Sequence, residues 1–162
     1  MTEISALLSK YSVKGILIDT NILLLYLIGL VNRDRIPRFK RTAQFIPEDY
    51  DLLFQLVNSF QKVITTPNIL TEVNSLANQL GEPERSQCLN IFAGLIAGIS
   101  EQCLDSGSVA KHELFARFGL TDCAIMYLAK DKYLVLTDDL KLSLHLKAQG
   151  IDAINFNNLR TL

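Results

Sequence analysis

The spacing of apolar and polar positions along the chain predicts most of its elements. Gly15–Asp19 is a short apolar run bounded by Gly and closed by a carboxylate, which reads as a buried strand; a Leu-rich helix from about Asn21 to Val31 follows. Segment 32–46, holding Pro37 and followed by Pro47, reads as a loop or excursion. A helix from Pro47 or Glu48 to Gln61 comes next, with Pro47 suited to its first turn. Lys62–Thr65 is a strand, and Pro67 opens a helix to about Leu80 that Gly81 stops. A helix from Pro83 to about Cys103, a minor strand at Ser108–Ala110, a short helix over 111–117 and a helix from an N-cap at Thr121 to Lys130 follow. Strand Tyr133–Thr137, helix Asp139–Gln149 ending at Gly150, and strand Asp152–Phe156 complete the pattern. Strands separated by helices predict an α/β fold with a central, mainly parallel sheet. No repeat, low-complexity tract or linker divides residues 1–162, so a single domain is expected.

Composition sharpens this picture in three places. The chain has 162 residues, enough to bury about two-thirds of its unfolded surface. Hydrophobic residues make up 49% and mean hydropathy is +0.21, which suits a well-buried sheet and also raises a membrane alternative. The uncharged run Thr20–Asn32 is thirteen residues, short of the roughly 20 that a bilayer requires. The start of the chain has no basic region, apolar core and cleavage site of a signal peptide. Cys88, Cys103 and Cys123 are odd in number and lack the close pairing of a zinc site, so reduced and mostly buried thiols in a cytoplasmic protein are expected. Net charge is −1, so no global excess marks a nucleic-acid binder. Residues 1–41 nevertheless carry seven Lys/Arg against three Asp/Glu. Most of that excess is Arg33, Arg35, Arg38, Lys40 and Arg41, interleaved with Ile36, Pro37 and Phe39. Solvated charge on an exposed loop and a patch contacting RNA phosphates both fit this pattern.

The candidate chemistry begins with one carboxylate in an apolar setting. In "GILIDTNILLLYLIGLV" Asp19 has no basic neighbour to pair with, and burying an unpaired charge costs several kcal/mol unless its pKa shifts or a cation arrives. Asp138 and Asp139 follow the strand "YLVLT"; Glu72 falls in the first two turns of the helix after "VITT"; Asp122 opens "DCAIMYLAK". In a parallel sheet the strand ends and following helix starts share one edge, where such folds bind ligands. Each acid also has a plainer reading. Asp122 and Asp139 suit helix N-termini, although Ile125, Met126 and Ala129 share the face of Asp122. Glu72 borders the stripe of Ile69, Val73, Leu76 and Leu80, where an exposed acid is equally at home. Taken together, carboxylates without matching Lys or Arg want a polyvalent cation, and oxygen-only ligands suit Mg²⁺ or Mn²⁺ rather than Zn²⁺. His112 and His145 lack ligand spacing and read as surface helix residues. No Gly-rich phosphate loop appears, and no Ser–His or Cys–His pair has a visible third member.

The blocks "GILIDTNILL", "TTPNILTEV", "FGLTDCAIMYLA" and "YLVLTDDLKL", in that order, resemble the PIN domain, a small metal-dependent nuclease module, over nearly the whole chain. The resemblance implies a three-layer α/β/α fold with an acidic site at the carboxyl edge of its sheet. It places Asp19, Glu72 and Asp122 as three core acids and Asp139, in a Thr-x-Asp pattern, as the fourth, with Asp138 as the alternative. Thr20, Asn21 and Thr137 match supporting polar positions. It further implies a Mg²⁺- or Mn²⁺-dependent endoribonuclease acting on single-stranded or looped RNA. Metal-activated water would attack the phosphodiester in line and leave 5′-phosphate and 3′-hydroxyl ends. The toxin half of a toxin–antitoxin pair is the first setting, with an antitoxin protein and a second copy of the chain as partners; RNA processing is the rival setting. Segment 32–46 is longer and more basic than in the compact toxin members. Two other classes remain: a catalytically silent PIN-like interaction module, and a phosphatase or phosphotransferase with Asp19 as nucleophile. The latter chemistry wants a second Asp two residues on, where Asn21 stands.

Overall fold

The computed structural model describes residues 2–162. Five short strands form one sheet: β1 Ile16–Ile18, β2 Val63–Thr65, β3 Ser100–Glu101, β4 Leu134–Thr137 and β5 Ala153–Asn155. Their order is β3-β2-β1-β4-β5, and every neighbouring pair is parallel. Parallel neighbours need crossovers, and the helices supply them. In chain order these are α1 Glu3–Tyr11, α2 Thr20–Val31, α3 Pro47–Asn58, α4 Pro67–Ala77, α5 Glu84–Gly98, α6 Ser106–Val109, α7 Phe115–Ala129, α8 Leu140–Ala148 and α9 Phe156–Arg160. They cover both faces, giving the three-layer α/β/α architecture. The strands accordingly read as continuous apolar runs, β1 and β4 being buried at every position.

Strand order reverses between β1 and β4. The chain leaves β1 towards β2 and β3 on one side, and returns to place β4 and β5 on the other. Such a reversal opens a crevice beyond the carboxyl ends of the two central strands. Asp19 directly follows β1, and Asp138 directly follows β4.

Apolar on nearly every side, α2 is the central helix, with Ile22, Leu23, Leu24, Leu25, Leu27 and Ile28 buried. It packs against α3, α4 and α5. Gly29 allows one of these contacts, since a Cβ there would clash with the Tyr50 ring of α3.

Several elements depart from expectation for local reasons. The first residues, assigned nothing by periodicity, form α1, capped by Thr2 accepting from the Ser5 N–H. Segment 32–46 is not an open loop. The Asn32 side chain accepts from the Asp34 N–H and starts a 3-10 helix over Arg33–Arg38, while Ile36, Phe39 and Phe45 are buried. The remaining strand is Ser100–Glu101 rather than Ser108–Ala110. Residues 106–109 are a helical turn, with Asp105 accepting from the Ser108 N–H. The break before the Asp122 helix falls at Gly119 (φ 81°, ψ −175°) rather than at a Thr121 cap, a conformation that glycine adopts without a Cβ clash. The three cysteines are free; Cys88 and Cys123 are buried and Cys103 is exposed. No helix among the described residues is long and apolar enough to cross a membrane.

Candidate active site

A cleft of about 410 Å³ lies at the carboxyl edge of the sheet, lined by Asp19, Thr20, Asn21, Thr71, Glu72, Ser75, Leu76, Asp122, Asp138 and Asp139. Each acid arrives on its own element. Asp19 caps α2, its Oδ1 accepting from the Thr20 N–H at 2.8 Å, while its backbone N–H donates to Leu136 O of β4 at 2.9 Å. Glu72 lies one turn into α4, a helix started by Thr66, whose hydroxyl accepts from the Ile69 N–H. Asp122 follows the Gly119 kink in α7. Asp139 caps α8, its Oδ1 accepting from the Leu142 N–H at 3.0 Å.

Hydroxyls and amides tie these carboxylates down. The Thr137 hydroxyl donates to Asp19 Oδ2 at 2.7 Å and accepts from the Asp139 N–H at 3.1 Å, so one buried side chain joins the ends of β1 and β4. The Thr20 hydroxyl donates to Glu72 Oε2 at 3.1 Å, and Asn21 Nδ2 reaches Asp138 Oδ2 at 3.4 Å. Asn157 Nδ2, on α9, donates to the Asp138 carbonyl at 3.1 Å. Among the described residues none of the five cleft carboxylates has an ion-pair partner; the bridges present join Lys10–Asp152, Arg33–Glu48 and –Asp51, Arg35–Glu84, Arg85–Glu82 and Arg160–Asp49.

The electrostatic consequence is that three of these carboxyls, Asp19, Asp122 and Asp138, hold protons unusually well. Burial pushes Asp19 up to about 6; the Thr137 and Thr20 donors pull it down, and the charges of Asp138 and Glu72 push it up. Burial also takes Asp122 to about 7, with Asp19, Asp139 and Glu72 adding and Lys141 opposing. Asp138 is raised as well, chiefly by burial, against the Asn21 hydrogen bond. In this arrangement no three acidic, histidine or cysteine side chains among the described residues already form a compact ligand set. The acids instead line a shared wall, Glu72 on Thr20, Asp138 on Asn21 and Asp139 on its own helix cap. The donor chemistry still fits a hard divalent ion: the oxygens are all carboxylate, hydroxyl or amide, and among the described residues none of the five acids is held in an ion pair.

All four expected acids and Asp138 reach this cleft, with Thr20 and Asn21 on its wall and Thr137 behind Asp19. The basic residues do not line it. Arg33 grips Asp51 through two hydrogen bonds of 2.8 and 2.6 Å, and Arg35 bonds Glu84 at 2.8 Å and the Arg38 carbonyl at 2.9 Å. Arg38 Nε donates to the Asp34 carbonyl, Arg41 Nε donates to Gln79, and Lys40 is exposed. Sequence reading missed Thr71 and Ser75, whose spacing around Glu72 on the polar side of α4 was a usable signal, and Asn157, whose role no local pattern marks. The histidines are half-buried rather than surface residues. His112 packs edge-on against Tyr127 and accepts from the Leu114 N–H, and His145 packs on Phe118. No protein-family model matches the sequence, and no curated protein matches it.

Proposed function

We propose that the chain is a PIN-type endoribonuclease that hydrolyses phosphodiester bonds of single-stranded or looped RNA with Mg²⁺ or Mn²⁺ as cofactor. One observation carries this reading: carboxylates from four separate segments meet at the crevice between β1 and β4, and among the described residues no cation is paired to any of them. Asp19, Glu72, Asp122 and Asp139 are the residues to hold the ion, with Asp138 beside them. When bound, the ion supplies an acidified water and neutralises charge at the phosphate. The chain's own part is orientation and proton control. Thr137 fixes the plane of the Asp19 carboxylate, and Thr20 restrains Glu72. Burial pushes the Asp122 carboxyl up to about 7, and a cation held beside it would favour its ionised form. No side-chain nucleophile is required by this chemistry.

The toxin half of a toxin–antitoxin pair is the setting we place first, with an antitoxin and a second copy of the chain as partners and the cytoplasm as its location. RNA processing is the second setting. Both rest on the resemblance, and the neighbouring reading frame separates them: a small protein with a DNA-binding half and a disordered tail favours the first.

The test is cleavage of labelled single-stranded RNA in Mg²⁺, Mn²⁺ and EDTA, with chemical analysis of the new ends. Metal-dependent cleavage leaving 5′-phosphates, abolished in a folded Asp19→Asn chain, is expected. Equal rates for wild type and Asp19→Asn at saturating Mn²⁺ overturn the reading.

A further inference from the structure

Five carboxylates around one cleft repel any polyanion that enters it. The phosphates on either side of the bond to be cut pass through that field, whose reach at physiological salt is about 8 Å. Cations at the mouth of the cleft are needed to offset it. Arg33 and Arg35 are badly placed for this. They are engaged by Asp51, Glu48 and Glu84. Their 3-10 helix follows the last turn of α2 in the chain, and that turn ends roughly 18 Å along the helix axis from Asp19.

Another pair is both free and close. Arg117 and Lys141 take part in none of the ion pairs or side-chain hydrogen bonds among the described residues. They converge on one aromatic ring, the Arg117 guanidinium 5.4 Å and the Lys141 ammonium 5.1 Å from the centre of Phe118. The His145 ring packs on the same phenyl at 4.8 Å. Lys141 and His145 are one turn apart on α8 and therefore share a face. The Gly119 kink breaks α7 directly after Phe118, so that this turn leaves the line of the helix that carries Asp122. Chain connectivity holds the group beside the cleft: Lys141 lies two residues past Asp139, and Phe118 four before Asp122.

We infer that Arg117 and Lys141, seated on the Phe118 ring, bind the RNA backbone phosphates that flank the bond to be cut. This rests on the nuclease reading above. The ring restrains two long side chains before RNA arrives, which reduces the freedom given up on binding. Interactions of this kind position a strand without reading its sequence.

The experiment measures binding of a short fluorescent single-stranded RNA of mixed sequence by anisotropy, in Mg²⁺, across a salt series. The Asp19→Asn chain is the parent, so that bound RNA is not cut. Replacing Arg117→Gln and Lys141→Gln together should flatten the slope of log K against log salt by about 1.4, which is about 0.7 for each single-strand phosphate that the variant no longer neutralises. Lys14→Gln with Lys62→Gln, the same reduction in charge near the opposite edge of the sheet, should leave the slope unchanged. An unchanged slope in the Arg117/Lys141 variant, or an equal flattening in the control, overturns the inference and leaves the nuclease reading standing. RNA that is neither bound by the parent nor cleaved by wild type overturns both.

Discussion

Replacing Asp19 with Asn should make the metal-free protein more stable. Asp19 is only 9% exposed, with Oδ1 on the Thr20 N–H and Oδ2 on the Thr137 hydroxyl. Its carboxyl titrates at about 6 in the fold against 3.8 in an open chain. A folded value above the unfolded one means that the native state binds the proton more tightly. Stability is therefore lost as pH rises through the window from about 4 to 6, and the full penalty stands above it, about 3 kcal/mol at 1.36 kcal/mol per pH unit. Asn keeps the shape and removes the charge, but its single amide oxygen serves only one of the two donors. If it stays on Thr20, the Thr137 hydroxyl loses its acceptor, at about 1 kcal/mol. The net gain is about 2 kcal/mol at pH 7, or roughly 4–8 °C in Tm for a chain of this size. Urea unfolding in EDTA from pH 4 to 8, followed by circular dichroism, measures it. The gain should shrink below pH 6 and reverse near pH 4. A variant no more stable than wild type at pH 7, or a gain independent of pH, refutes the reasoning that Asp19 is a charge buried without a paired cation.

Mn²⁺ at a hundred times its dissociation constant should stabilise wild type by about 2.7 kcal/mol, roughly 5–11 °C, and Asp19→Asn by much less. A wild-type melting temperature that stays flat from EDTA through millimolar Mn²⁺ removes the cofactor from the proposal. Gly29→Ala should lower stability by about 1–3 kcal/mol despite alanine's better helix propensity, because the new methyl meets the Tyr50 ring. A urea midpoint equal to or above wild type would show that α2 and α3 separate freely at that point.

The central strands and the cleft acids were legible because their signals are local. Ile16–Ile18 and Leu134–Thr137 are apolar runs closed by acids, and Pro67 behind Thr66 marks a helix start on any chain. The Ser100–Glu101 strand was not legible, since two residues pairing at a sheet edge carry no periodicity. The amphipathic pattern of α1 was present but short, and Asn32 gave the one local hint that the 32–46 segment starts as a turn of helix. The basic residues show the deeper limit. Sequence displays the charges of Arg33 and Arg35, but their partners Asp51 and Glu84 lie 18 and 49 positions away and become neighbours only when α3 and α5 pack. Arg117 and Lys141 escape notice for the opposite reason: isolated along the chain, they meet only across the Phe118 ring.

The Thr137–Asp19 hydrogen bond spans 118 positions, and that separation sets a timetable for synthesis. A growing chain that has exposed Asp19 and Glu72 still lacks Thr137 and Asp139. At about 5–20 residues per second, the 67 positions from Glu72 to Asp139 take roughly 3–13 s to translate. During that interval Asp19 has no Thr137 hydroxyl to orient it, and β1 is without β4 along one edge. If the cleft cuts RNA, the ribosome making it is therefore beside an unfinished catalyst, and activity can appear only once the last third of the chain has emerged and docked.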